Sequence, residues 1–335
     1  MLTLTHWLVC EMALADAIAK AAAAQPVEFK LPAIVPGLEL HIDGDYAAYY
    51  CAGNDEVEPG MARQNTIGRF EGMARRCGAS RIIVHLTKGS SHKGYRYFAA
   101  TVKPYQAQRK SGRRPKNWQY LRDFLEQYQG DRFTVKIWEA READDGIAIC
   151  AYHAASRGKQ IVIATADKDM RMLPGLHMSW VSQAIVADVP LHCYDLIGDD
   201  DKQYGYKWLL LQLLHGDTAD NIPGLEKIKW VGKNPVQCGE VTAAKWMAEY
   251  DGTLADGWFA VEEAYSSYYG LGWPARMAEQ LCLLYLRHDP QAVPHSWTLN
   301  SALAGVADEL LIAAAYALTA RIKEESEALA KAQSI

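Results

Sequence analysis

The sequence predicts an α/β fold: a mainly parallel sheet flanked by helices, followed by a helical region. Three observations predict it. Short, almost wholly apolar runs alternate with helical stretches, as strands buried on both faces of a parallel sheet do. Acidic residues recur just after these runs, where an open parallel sheet offers its ligand crevice. After about residue 195 the pattern turns helical. A chain of 335 residues, half of them hydrophobic and 22 % charged, suffices for one large domain or two smaller ones.

The first 25 residues lack a basic start, and Glu11, Asp16 and Lys20 interrupt their apolar run. They read as an amphipathic helix rather than a signal peptide, within an N-terminal helical extension over 1–36. An α/β body is expected over 37–194. "LELHID" (38–43) is its first strand, a helix follows around 61–77, and "RIIVHL" (81–86) is the second strand. Residues 88–116 contain Gly89, Gly94 and Gly112 with little periodicity, which predicts a loop or arch. A helix over 117–128, a strand at 133–138, a helix over 142–156 and strands at 160–166 and 177–182 complete the body. Helices at 204–215, 240–250, 256–269 and 273–287 make up a region over 195–290. A helix at 301–332 fills most of 291–335.

No stretch has the ~20 uninterrupted apolar residues of a membrane span. Seven scattered cysteines with no CxxC pair argue against a disulfide framework or structural zinc and suit a reducing cytoplasm. The net charge of −5 does not advertise a nucleic-acid partner, but its distribution does. Lys88 to Lys116 holds nine Lys/Arg, including Lys103, Arg109, Lys110, Arg113 and Arg114, and no Asp or Glu. Tyr95, Tyr97, Phe98 and Tyr105 are interleaved, with Trp118 just beyond. Cations for phosphates and rings for bases suit a single strand.

The carboxylates carry the chemistry. The first strand ends at Asp43. The third is followed by Glu142, Asp144 and Asp145, and the fourth runs into Asp167 and Asp169. Glu142 and Asp145 are three apart and share a helix face. Asp167 and Asp169 are two apart, so an extended segment points both one way. Asp144 alone reads as a helix cap. So many carboxylates in one pocket repel unless divalent cations neutralise them. An all-oxygen ligand set selects Mg²⁺ or Mn²⁺. Asp217 and Asp220, in "GDTADNIPG" (216–224), add the edge of a second cation site. Two ions about 4 Å apart suit in-line attack on a phosphodiester. His41, His85 and His215 adjoin apolar runs and read as packed, hydrogen-bonded histidines. "GKNP" (232–235) lacks the spacing of a phosphate-binding loop.

"DGD" (43–45), "EADD" (142–145), "ATADKDM" (164–170) and "LHGDTADNIPG" (214–224), in this order and spacing, resemble the 5′-nuclease family. That family includes flap endonucleases, the 5′-nuclease domain of bacterial DNA polymerase I and bacteriophage 5′→3′ exonucleases. The resemblance implies a PIN-like body, a helical arch and a helix–three-turn–helix that grips duplex DNA. It implies Mg²⁺-dependent cleavage near a 5′ end, leaving a 5′-phosphate. It assigns Asp43, Glu142, Asp144 and Asp145 to the tighter metal site. Asp167 and Asp169 fall between the metals or in the second site, and Asp217 and Asp220 in the second. "PYQAQRK" (104–110) is similar to the family's Tyr-Lys-x-x-Arg stretch. Tyr105 would stack on a base or else pack in a helix, the two being equally open, and Arg109 with Lys110 would hold the scissile phosphate or the 5′ strand. Arg113, Arg114, Gly224, Gly232 and Lys233 join the DNA contacts, and a K⁺ ion is expected at the helix–three-turn–helix. The implied partner is DNA with a 5′ end, flap, nick or gap, or an RNA–DNA hybrid. A monomer is expected, in the host cytoplasm if the chain is viral.

Three features depart from the family. Thr87 and Lys88 stand where it has an Asp after the second strand. Gln106 stands at the arch lysine, where Lys103 could substitute. Extra residues follow "NIPG", with Gly232 and Gly239 as turn candidates. Two alternatives remain open: a binding protein of this fold with weak or lost cleavage, and a phosphatase built on Asp43-Gly44-Asp45, which leaves "GDTADNIPG" unexplained.

Overall fold

The computed structural model describes residues 31–110, 113–230, 232–250 and 252–333, of which 34–333 belong to one compact unit. The helix expected near the N-terminus lies outside the described residues, as do the side chains of Arg109 and Lys110.

Strand β1 (Val35–Asp43) lies at the centre of a six-stranded sheet. On one side are β2 (Ala79–Thr87) and β3 (Thr134–Trp138). On the other are β4 (Val162–Thr165), β5 (Gly175–Ser179) and β6 (Ile185–Val189). All neighbours are parallel except β5 and β6. The chain winds outward from β1 to β3 and then returns to place β4 beside β1. That reversal opens a crevice beyond the carboxyl ends of β1 and β4.

Period-two alternation divides the strands between two cores. Leu40 and Ile42 of β1 and Val84 and Leu86 of β2 pack with Phe70 and Met73 of a helix over Pro59–Cys77. On the opposite face Ile163 joins Ile147, Ala148 and Ala151 of the helix Ala143–Ala155. These helices are α2 and α4. Between them in sequence lies α3 (Trp118–Glu126), and α1 (Gly44–Cys51) directly follows β1.

The structure corrects several expectations. Helix α1 was not readable, because "GDYAAYYC" shows no helical apolar stripe. It starts because the Asp43 side chain accepts the Tyr46 N–H at 3.0 Å. Strand β6 was also missed, and the strand expected at 177–182 ends at Ser179. The helix expected over 301–332 breaks at Gly305, with one turn at Ser301–Ala304 and then α9 (Glu309–Gln333). In place of a helical arch, the described part of 88–116 has single turns at Lys93–Tyr95, Arg96–Ala99 and Ala107–Lys110.

The helical region contains α5 (Tyr206–His215), α6 (Glu240–Ala248), α7 (Leu254–Tyr269) and α8 (Trp273–Leu284). "GDTADNIPG" closes on itself after α5. Asp217 and Ile222 exchange backbone hydrogen bonds of 2.8 and 2.7 Å. The extra residues beyond it form an antiparallel ladder of Lys227–Ile228 with Val236–Gln237. Gly232 turns at φ +71°, whereas Gly239 has φ −95° and precedes α6.

Gly216 has φ +75°, and a Cβ there would lie 2.3 Å from the Ile222 carbonyl oxygen. Gly216→Ala is therefore expected to destabilise the fold by roughly 1–3 kcal/mol. A thermal melt within a degree of the parent would refute this account of the turn.

Candidate active site

The ends of β1 and β4 and the start of α4 meet at the crevice. Asp43 Oδ1 caps α1, while Oδ2 accepts the Thr165 hydroxyl at 3.2 Å. The same hydroxyl oxygen accepts the Asp167 N–H at 2.9 Å, and Asp167 Oδ1 accepts the Asp169 N–H at 2.9 Å. Asp167 and Asp169 thus lie on a tight turn opening the helical segment Lys168–Met172, not on an extended strand. A short acidic side chain closing onto the amide two residues on competes with strand geometry.

At the start of α4, Glu142 is the cap residue and forms a capping box with Asp145. Asp144, read alone as a cap, is not the cap. It is half-buried beside Asp43 and Asp167, and burial and those charges push its carboxyl well above the usual range. Burial pushes Asp167 up to about 6 and Asp169 up to about 8, with neighbouring carboxylates adding to both.

Asp169, Asp217 and Asp220 form a second group, with one oxygen from each within 4.8 Å of the others. Asp169 Oδ1 accepts Gln212 Nε2–H at 2.6 Å. Asp217 Oδ1 accepts the Ala219 N–H at 2.8 Å. Lys168 Nζ lies 2.6 Å from Asp217 and 3.0 Å from Asp169. Burial alone would lower its pKa, but those two carboxylates raise it. The two groups adjoin through Tyr105, whose Oη is 2.9 Å from both Glu142 Oε2 and Asp220 Oδ2. Gln106 Nε2 reaches the same pair at 3.3 and 3.1 Å.

The resemblance left Tyr105 between stacking on a base and packing in a helix; the structure buries it as a phenol between carboxylates. Burial and those charges hold its pKa well above the ordinary value. Asp145, expected to bind metal, is fully buried with both oxygens engaged. Arg96 grips it bidentately at 2.8 and 2.9 Å, and the Arg287 N–H donates to Oδ1 at 2.9 Å. Burial opposes its charge, yet the Arg96 guanidinium holds its pKa below the usual range. Gly224, expected to face DNA, is buried with its N–H given to Gln280 Oε1 at 3.0 Å. Lys103, Arg113, Arg114, Gly232 and Lys233 are exposed. Arg113 pairs with Asp55, and Arg114 stacks on Trp118 at 4.1 Å. Lys88 pairs with Glu139 at 3.3 Å, and the Thr87 hydroxyl accepts the Ala143 N–H at 2.9 Å.

Lys93 and Arg96 were missed. Lys93 Nζ is 3.3 Å from Glu142 Oε1 and Arg96 Nη1 is 3.1 Å from Oε2. "KGYR" (93–96) carries the Lys-x-x-Arg spacing, a signal that "PYQAQRK" obscured.

His41 and His85 are packed and hydrogen-bonded, as read from sequence. The indole N–H of Trp138 can only donate, so His85 Nδ1 accepts it at 3.1 Å. His85 Nε2–H then donates to His41 Nδ1 at 2.9 Å, and His41 Nε2–H to Glu39 at 3.3 Å. In this network both ring lone pairs are taken. Cys150 lies close by, with one possible ligand atom from each of the three within 4.8 Å of the others, but the hydrogen bonds already engage the ring lone pairs.

No protein-family model matches the chain. The fold is that of the bacteriophage T5 D15 flap endonuclease. The chain superimposes on the bacteriophage T5 D15 flap endonuclease, solved in a pseudo-enzyme–product complex with DNA and metal ions, with a TM-score of 0.50. The match covers 85 % of this chain and 99 % of that one, at 15 % identity. In sequence it is similar to DNA polymerase I of Deinococcus radiodurans, 33 % identical over 113 residues, and of Mycobacterium tuberculosis, 31 % over 114. These matches cover 34 % and 32 % of this chain but only 10 % and 11 % of the polymerases. The chain thus resembles the 5′-nuclease family both in fold and in local sequence. Among the described residues, no helix is long and apolar enough to cross a membrane.

Two predictions follow from these charges. With Asp167 at about 6 and Asp169 at about 8, these two groups bind more protons in the folded protein than in the unfolded chain from about pH 4 to pH 8. That stability is present at the acid end and lost as pH rises through 8. In EDTA, Tm should fall between about pH 7 and pH 8.5, above the range in which the buried histidines, with pKa values lowered by burial, oppose the effect; a rise there would contradict the cluster. Arg96→Met should cost about 3–5 kcal/mol in denaturant unfolding, because it strands the buried Asp145 charge. A loss under 1 kcal/mol would mean Asp145 needs no partner.

Proposed function

We propose that this protein is a divalent-metal-dependent 5′-nuclease, acting as a 5′→3′ exonuclease and flap endonuclease on DNA. Its setting would be bacteriophage replication, recombination or DNA breakdown. The observation that carries this reading is two adjoining carboxylate groups at the switch point of a sheet with the T5 flap endonuclease fold.

The donors are all oxygens, which fits Mg²⁺ or Mn²⁺ rather than a soft metal. Asp43, Glu142, Asp144 and Asp167 would hold one ion, and Asp169, Asp217 and Asp220 the other. Bound there, the ions would supply charge stabilisation and activate water. Hydrolysis forms a bond from water oxygen to phosphorus and breaks the bond to the 3′ oxygen, which takes a proton, leaving a 5′-phosphate. Lys93, half-buried at the edge of the carboxylates, can move its ammonium from Glu142 to a phosphate oxygen. Arg96, buried beneath it, holds Glu142 and Asp145 in place. Tyr105 bridges Glu142 and Asp220 and fixes their separation. The exposed Lys103, Arg113, Arg114 and Lys233 offer positions along a DNA backbone, which would make binding steeply salt-dependent.

One observation favours the second reading, a DNA-binding protein of this fold with weak or lost cleavage. Thr87, not a carboxylate, ends β2. A 5′-labelled flap duplex and a 3′-labelled blunt duplex, each with Mg²⁺, Mn²⁺ or EDTA, separate the two. The nuclease reading expects metal-dependent products from the 5′ side. Asp144→Asn and Asp167→Asn should abolish them while DNA binding in Ca²⁺ survives, and Lys93→Ala should lower kcat on the order of 10²–10³-fold. Intact binding without cleavage in either metal would select the second reading.

A further inference from the structure

We propose that Lys168 is an internal cation that competes for the Asp169–Asp217–Asp220 group, so that this group accepts a divalent ion only when the ammonium swings away. The inference rests on the metal-dependent reading above and concerns how one of its two sites is loaded.

The geometry is direct. Lys168 Nζ is in contact with two of the three carboxylates, at 2.6 Å from Asp217 Oδ2 and 3.0 Å from Asp169 Oδ1. One oxygen from each of the three lies within 4.8 Å of the others. An ion such as Mg²⁺ needs those same oxygens at about 2.0–2.1 Å. An ammonium and a divalent ion cannot both sit on them, since like charges so close repel strongly.

The backbone keeps Lys168 beside the site in either state. It lies between Asp167 and Asp169 in the turn that the Asp169 N–H closes onto Asp167 Oδ1. Its side chain is 31 % exposed, so the four-carbon stem has a path outward. Asp169 and Asp217 are held independently of the lysine, by Gln212 and by the Ala219 N–H. The carboxylates can therefore keep their positions when the ammonium leaves. The ion at this group should bind more weakly than the same carboxylates would allow without the lysine.

The test is Mn²⁺ binding to the full chain without DNA, followed by calorimetry, for the parent, Lys168→Met, Lys168→Gln and Lys168→Arg. In both neutral variants the weaker binding event should tighten by a factor on the order of 5–150, as ordinary binding couplings do. Lys168→Arg should keep it weak, and the tighter event should not move. Melts give a second readout. The neutral variants should melt below the parent in EDTA, having lost a counter-cation, and gain more from saturating Mn²⁺. An unchanged or weakened second event in both neutral variants, with two ions still bound and DNA still cleaved, overturns the role of Lys168 alone. No Mn²⁺ binding by any of the proteins overturns the metal-dependent reading with it.

Discussion

Mutual repulsion among the carboxylates gathered beyond β1 and β4 is the constraint on which the rest of this structure depends. Eight acidic side chains converge from four places in the chain, and several are withdrawn from water. Such charges stay together only if they are neutralised, protonated or paired. The protein uses all three means. Asp144, Asp167 and Asp169 have raised pKa values, so a proton neutralises each at a higher pH than it would in water. Asp145 is fully charged and fully paired. Glu142, Asp169 and Asp217 receive lysine or arginine groups from the chain itself.

The internal cations are in turn held from far away. Arg96 donates to the carbonyl of Leu283 at 3.1 Å and to that of Tyr285 at 3.1 Å, just past the end of α8. Arg287 donates to the carbonyls of Gly94, Ala292 and Cys282, and its backbone N–H meets Asp145. Arg141, next to Glu142, reaches the Asp289 carbonyl at 2.8 Å. Residues 282–292 therefore set the loop that carries Lys93 and the start of α4 at once. The basic segment near residue 96 and the last core helices act as one support for the acidic crevice.

Much of this was legible in one dimension. Apolar strands punctuated by acidic residues announce a crevice at the ends of a parallel sheet, and Asp43, Asp144, Asp167 and Asp169 were singled out that way; Asp217 and Asp220 were singled out by the turn that follows an apolar helix. The departures have local physical causes. The turn at Asp167–Asp169 follows from side-chain capping that outweighs strand geometry. Tyr105 stayed open between stacking and packing because an aromatic among cations looks the same in sequence whether it faces a base or two carboxylates. Lys93 and Arg96 were passed over because a long basic run offers many lysines and arginines of equal apparent standing.

By itself, the sequence determined the strand–helix alternation, the order of the acidic motifs and the hard-oxygen chemistry they imply, since these depend on neighbours within a few residues. Only the tertiary structure decided which cation meets which carboxylate. Arg96 came to Asp145, Lys168 to Asp217 and Tyr105 to both groups, because those choices depend on distances between segments that the chain brings together only when the sheet reverses direction and the helical region folds back on it. Electrostatic energy falls with distance through space, not along the sequence.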